Sequence, residues 1–135
     1  MILLSDYFGK WADHPDATEK RKDAALELIG KVNALLDDAF LHSIDLIDNP
    51  VTGTSISGSR YGGFRPQDCP QGAPNSSHKE GRGIDLYDPN NELDNWLSDA
   101  MLEKHGLYRE SPLVTRGWCH LTDRAPGSGK RTFMP

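Results

Sequence analysis

The sequence is poor in several things that would place it in a large class at once. Cysteine occurs only twice in 135 residues, as Cys69 and Cys119, which excludes a disulfide framework. One bridge between them stays open; two unpaired thiols in a reducing compartment is the expectation. No apolar run approaches the ~20 residues of a membrane helix. The apolar stretch at residues 1–4 has no basic segment before it and is too short for a secretory leader. The chain is therefore expected to be cytoplasmic on synthesis, with no membrane partner. Positive charge is also scarce: 15 Lys and Arg against 20 Asp and Glu give a net charge of −5. That balance excludes a nucleic-acid binder of the electrostatic kind.

What is present is the length of one domain, enough to bury a real core. Composition changes near Asn49 and Pro50. Of the 13 glycines and nine prolines, most follow residue 50, so the later chain is expected to be loop-rich. Three parts result: a mostly helical part over 1–49, a core over 50–123, and a tail over 124–135. Ala25, Leu28, Ile29, Val32, Leu35, Leu36 and Ala39 recur at helical spacing and predict a helix over 18–40. Its other face, with Lys20, Arg21, Asp23, Glu27, Lys31 and Asp38, reads as solvated. Residues 1–11 suit a short helical turn. A second helix is expected over 91–104, with Leu93, Trp96, Leu97, Ala100 and Met101 as its stripe and Gly106 as its cap. Strand candidates are 54–57, 83–87 and 117–122. The predicted class is α+β, a small antiparallel sheet packed against helices.

Two arrays carry residues suited to chemistry. In Ser76-Ser77-His78-Lys79-Glu80-Gly81-Arg82-Gly83-Ile84-Asp85 the glycines disfavour a helix. A loop turning into a strand puts His78 in the loop and Asp85 on one face, with Ile84 and Leu86 on the other. In Gly117-Trp118-Cys119-His120-Leu121, strand alternation places Trp118 and His120 together and Cys119 and Leu121 opposite. Imidazole nitrogen and carboxylate oxygen are both zinc donors, and three protein ligands with one open position is the catalytic arrangement. The plainer alternative is a His/Asp pair that ties a loop to the sheet with no metal. His14, His42 and His105 read as ordinary hydrogen-bonded residues.

Ser76-x-His78-x-x-Gly81-x-Gly83-x-Asp85 resembles the Ser-x-His-x-x-Gly-x-Ala-x-Asp signature of zinc D-Ala-D-Ala carboxypeptidases and dipeptidases. That family includes phage endolysin peptidases, and the hedgehog signalling domain shares its fold and zinc site. Trp118-Cys119-His120 is similar to the segment that brings the family's third ligand. Ser57-Gly58-Ser59-Arg60 and Gly62-Gly63-Phe64-Arg65-Pro66 both resemble its arginine element; Arg65 is preferred and Arg60 is the runner-up. The resemblance covers about residues 50–123. It implies a zinc ion on His78, Asp85 and His120, with Arg65 stabilising an oxyanion. Ser76 and Trp118, and Arg60 in the runner-up case, would contact substrate. The implied substrate is a peptidoglycan stem peptide or cross-bridge, cut by a phage- or prophage-encoded hydrolase released at lysis or carried in a virion.

One position departs from the family. Its acidic general base usually stands three residues before the third ligand, where this chain has Gly117. Glu110 could reach the site if residues 111–116 loop back; Asp123 would have to fold back from the other side. A missing base costs roughly 10²–10⁴ in rate, so the alternative is a non-catalytic zinc-binding member of the same fold, serving as a phage structural or wall-binding protein. Gly127-Ser128-Gly129-Lys130 resembles a phosphate loop but has Arg124 and Arg131 where a Gly and a hydroxyl residue are required. Cys119 cannot pair with His120, since adjacent strand residues face opposite ways. It reads as a small buried apolar residue, and Cys69 as a rim residue of a proline-rich loop.

Overall fold

The computed structural model describes residues 1–59, 61–73 and 75–135. A short helix α1 spans Leu4–Phe8, and the leucine stripe forms α2, Glu19–Leu41. Thr18 opens α2: its hydroxyl accepts the Arg21 N–H, one of the donors that a helix start leaves unpaired. Leu28, Val32 and Leu35 are fully buried. Each such side chain contributes about 1.5–3 kcal/mol by leaving water.

The continuous helix expected over 91–104 is instead two, α3 at Glu92–Trp96 and α4 at Asp99–Lys104. The break has a local cause. Leu97 is extended, and the Ser98 hydroxyl accepts the Met101 N–H as the cap of α4. A serine inside a helix competes for its backbone groups in this way. The kink lets Leu93, Leu97 and Leu102 all turn inward.

Among the described residues the strands are β1 (Gly83–Tyr87), β2 (Tyr108–Glu110), β3 (Trp118–Thr122) and β4 (Thr132–Phe133), in the order β1-β3-β2-β4. β3 is antiparallel to β1 and to β2, but β4 runs parallel to β2. The sheet is thus mixed rather than antiparallel. The tail crosses over and returns along the far edge of β2, where the Arg109 N–H binds Arg131 O and the Ser111 N–H binds Phe133 O. The candidate strand 54–57 makes a single bridge, Ile56 to Leu86. The ladder goes no further because the next β1 donor, the Asp85 N–H, binds Gly62 O at 2.7 Å, although the Ser57 N–H already donates to Asp85 O.

Alternation sorts the sheet into two faces. Ile84, Leu86, Cys119 and Leu121 are fully buried and join a hydrophobic cluster that also takes in Tyr7, Phe8, Leu28, Phe64 and Leu107. The helical part over 1–49 and the core over 50–123 therefore share packed residues. The other face carries Asp85 and His120. Among the described residues no helix is long and apolar enough to cross a membrane.

Candidate metal centre

The β1–β3 register sets Asp85 directly opposite His120. Cross-strand partners on one face have Cβ atoms about 4.5–5.5 Å apart, and Asp85 Oδ1 accepts from His120 Nδ1 at 2.7 Å. His78 arrives from a 3-10 turn, Ser77–Glu80, capped by Ser76, whose Oγ accepts the His78 N–H at 3.3 Å. The two imidazole rings lie 5.1 Å apart. One donor atom from each of His78, Asp85 and His120 falls within 4.8 Å of the other two. The site is sheltered: His78 is 3% exposed and His120 5%.

A backbone carbonyl fixes the state of His78. Its Nδ1 lies 2.8 Å from Gly63 O. A carbonyl only accepts, so Nδ1 carries the hydrogen. This leaves Nε2 facing Asp85 Oδ2 at 3.4 Å. Burial is the main cause that pushes the His78 pKa below the ordinary histidine value, against the pull of Asp85. A neutral His78 then turns a bare lone pair toward a carboxylate oxygen. Asp85 Oδ2 also accepts from Arg65 Nη2 at 3.3 Å, and a cation set between Oδ2 and Nε2 would join the two acceptors. For Asp85, burial raises the pKa, but His78 and His120 outweigh it and hold the carboxyl well below the usual range. For His120, burial opposes the charge; the hydrogen bond and charge of Asp85 prevail, Glu110 adds to them, and the pKa rises. The His120 proton is thus shared with Asp85 Oδ1, the other oxygen of the carboxylate.

Two imidazoles and a carboxylate this close could hold a metal ion, and the donor types are among those zinc accepts. Ligands at about 2.0–2.2 Å in a tetrahedron lie about 3.3–3.6 Å from one another, and the 3.4 Å between His78 Nε2 and Asp85 Oδ2 already meets that spacing. The bond from His78 Nδ1–H to Gly63 O is the outer contact that orients a metal-binding imidazole.

Close packing holds this frame. A Cβ on Gly63 would overlap the carbonyl of Tyr7, while the Phe64 N–H donates to that same oxygen at 3.0 Å. The Tyr7 hydroxyl, fully buried, donates to Gly83 O at 2.8 Å. A Cβ on Gly83 would overlap Ser77 Oγ. The glycine that stands where the resembled signature has alanine therefore leaves room for the hydroxyl beside it.

A cleft of about 730 Å³ opens over the triad, lined also by Arg65, Ser76, Glu110, Trp118 and Arg124. Arg65 donates from Nε to Tyr61 O at 2.7 Å and from Nη2 to Asp85 Oδ2 at 3.3 Å. Arg60 lies outside the described residues. Glu110 reaches the cleft from β2, since residues 111–117 form the connection from β2 to β3. Thr115 Oγ1 donates to Asp94 Oδ2, and the Gly117 N–H donates to Asn91 Oδ1; these bonds hold that loop. Asp123 goes elsewhere, pairing with Arg82 at 3.2 Å and Lys31 at 3.5 Å.

Two residues at the site had no signal in the side-chain pattern. Gly63 acts through its carbonyl, which no residue type announces. Phe133 lines the cleft from β4, a strand of two residues that shows no periodicity. Elsewhere, His14, Asp16 and Asp68 also converge. There the His14 Nδ1 accepts the Asp16 N–H and Asp16 Oδ2 accepts the Gln67 N–H, so backbone hydrogen bonds use those atoms. Both cysteines are free and buried. Burial, then the charge of Asp94, pushes the Cys119 thiol up, the state of an inert thiol. No family model, curated protein or solved structure matches this chain.

Proposed function

We propose that the chain is a zinc-dependent metallopeptidase acting on peptidoglycan stem peptides or cross-bridges, as its resemblance to D-Ala-D-Ala peptidases implies. A phage or prophage origin, with release at lysis or carriage in a virion, belongs to the same reading. The observation that supports it most is the position of Glu110. β2 pairs Arg109 with Leu121 of β3, so the next residue, Glu110, lies level with His120 on the cleft side. An acid thus stands beside the triad although Gly117 occupies the family's usual base position.

Bound zinc would supply Lewis acidity and a lowered water pKa. His78, Asp85 and His120 would hold it. Glu110 takes the proton of the attacking water and returns it to the leaving nitrogen. Arg65, fixed by Tyr61 O and Asp85, offsets negative charge that develops on the carbonyl oxygen. Ser76 orients His78 through its cap and lies at the rim where substrate backbone passes; Trp118 offers it an aromatic wall.

A second reading, a metal-holding binding module, is favoured by the two hydrogen bonds that tie Arg65 into the frame itself. Glu110→Gln separates the two. As an enzyme, the variant keeps its zinc and loses roughly 10²–10⁴ in the rate of peptidoglycan digestion. An unchanged rate removes Glu110 as the base, and a wild type that digests nothing while holding zinc favours the module.

A further inference from the structure

The register continues past the acid. β1 pairs Asp85 with His120, β3 meets β2 with Glu110 level with His120, and β2 pairs Glu110 with Phe133 of β4. Asp85, His120, Glu110 and Phe133 therefore form one row across four strands. Paired residues share a face, and adjacent strands lie about 4.8 Å apart. Phe133 is thus about 10 Å from His120, with Glu110 between them.

Phe133 is anchored. The Ser111 N–H donates to its carbonyl at 2.7 Å, and the preceding Thr132 hydroxyl binds Asp99 Oδ1 at 2.8 Å and accepts from Arg109 Nε at 3.0 Å. Its ring is partly exposed and lines the cleft beside Met134. It is a fixed apolar wall beyond the acid.

We propose that Phe133 is a specificity residue that receives an apolar group on the leaving side of the scissile bond. This rests on the peptidase reading. If Glu110 protonates the leaving nitrogen, the chain attached to that nitrogen runs from the triad past Glu110, and the next surface along the row is the Phe133 ring. A carboxylate there would lose water against the ring with Glu110 beside it; an apolar side chain gains contact.

The test uses two metal-anchored probes on the zinc-loaded protein, acetohydroxamate and phenylbutanohydroxamate, with binding measured by calorimetry. The wild type is expected to bind the phenyl probe more tightly. Phe133→Ala should weaken that probe by about 2- to 10-fold, the span of one aromatic contact. It should leave acetohydroxamate binding and zinc affinity unchanged. Phe133→Leu should restore part of the difference, which separates contact from damage to the edge strand. If the phenyl probe shows no advantage, or an advantage that Phe133→Ala leaves intact, the inference is overturned and the peptidase reading stands. If the wild type binds neither zinc nor acetohydroxamate, both fall together.

Discussion

At the scale of single residues, one proton links His120 to Asp85. His120 holds it more tightly than an ordinary histidine because Asp85 and Glu110 outweigh the cost of burial. Zinc must displace that proton to use the shared lone pair. Zinc affinity should therefore fall about tenfold per pH unit below the raised His120 value and level off above it. A competition titration against a chromogenic chelator, run across pH 5 to 8, checks this. A flat profile would mean that His120 gives up no proton to the metal. The ligand types were legible in the sequence at this scale, because strand alternation alone puts Asp85 and His120 on a face away from Ile84 and Leu121. The partner of His78 was not. A backbone carbonyl looks the same at every position, so the role of Gly63 comes only from the three-dimensional path of the chain.

At the scale of elements, α1 is a clamp on the His78–Asp85–His120 triad. The Tyr7 carbonyl leaves no room for a side chain at Gly63 and accepts the Phe64 N–H. Gly63→Ala should push the Gly63 carbonyl out of line with His78 Nδ1. Zinc affinity should drop about 10- to 100-fold, the usual effect of losing an outer contact, together with a lowered unfolding midpoint. Restored affinity in the variant, with only stability lost, would limit the clamp to a folding role. The split between α3 and α4 gives a separate prediction. Ser98→Ala removes a cap and should cost about 1 kcal/mol in denaturant unfolding, with no change in zinc binding. The stripe over 91–104 was visible, but its break was not, because hydrophobic spacing continues across the kink: Leu93, Leu97 and Leu102 are buried from both pieces. β4 was hidden for a different reason. Two residues cannot show a period, and the parallel pairing with β2 is set by where the crossover lands.

At the scale of the whole molecule, contacts distant in sequence tie the helices together on the side away from the cleft. Asp38 of α2 accepts from Lys104 Nζ at 2.9 Å and pairs with His105 Nε2 at 2.7 Å. The hydrogen bond from Lys104, then that from His105, holds the Asp38 carboxyl below its ordinary value. A carboxyl depressed by folding stabilises above the unfolded pKa, and that contribution is lost as pH falls through the folded one. Asp38→Asn should therefore be less stable than wild type near pH 7, with the difference closing as pH falls below about 4. Thermal unfolding at several pH values reads this directly, and a gap that persists at pH 3 would show that the carboxylate charge is not the cause. His42 and His105 fit the plain reading of their surroundings. His42 donates from Nδ1 to Asp38 O, and His105 belongs to this ion pair.

The central claim is that His78, Asp85 and His120 form one zinc centre. Elemental analysis of the wild type and His78→Ala, both purified without added metal or chelator, tests it most directly, with circular dichroism to show that both are folded. The account predicts about one zinc per chain in the wild type, lost in the variant. A folded wild type that takes up no zinc even when it is offered, or a variant that keeps its zinc, would contradict it.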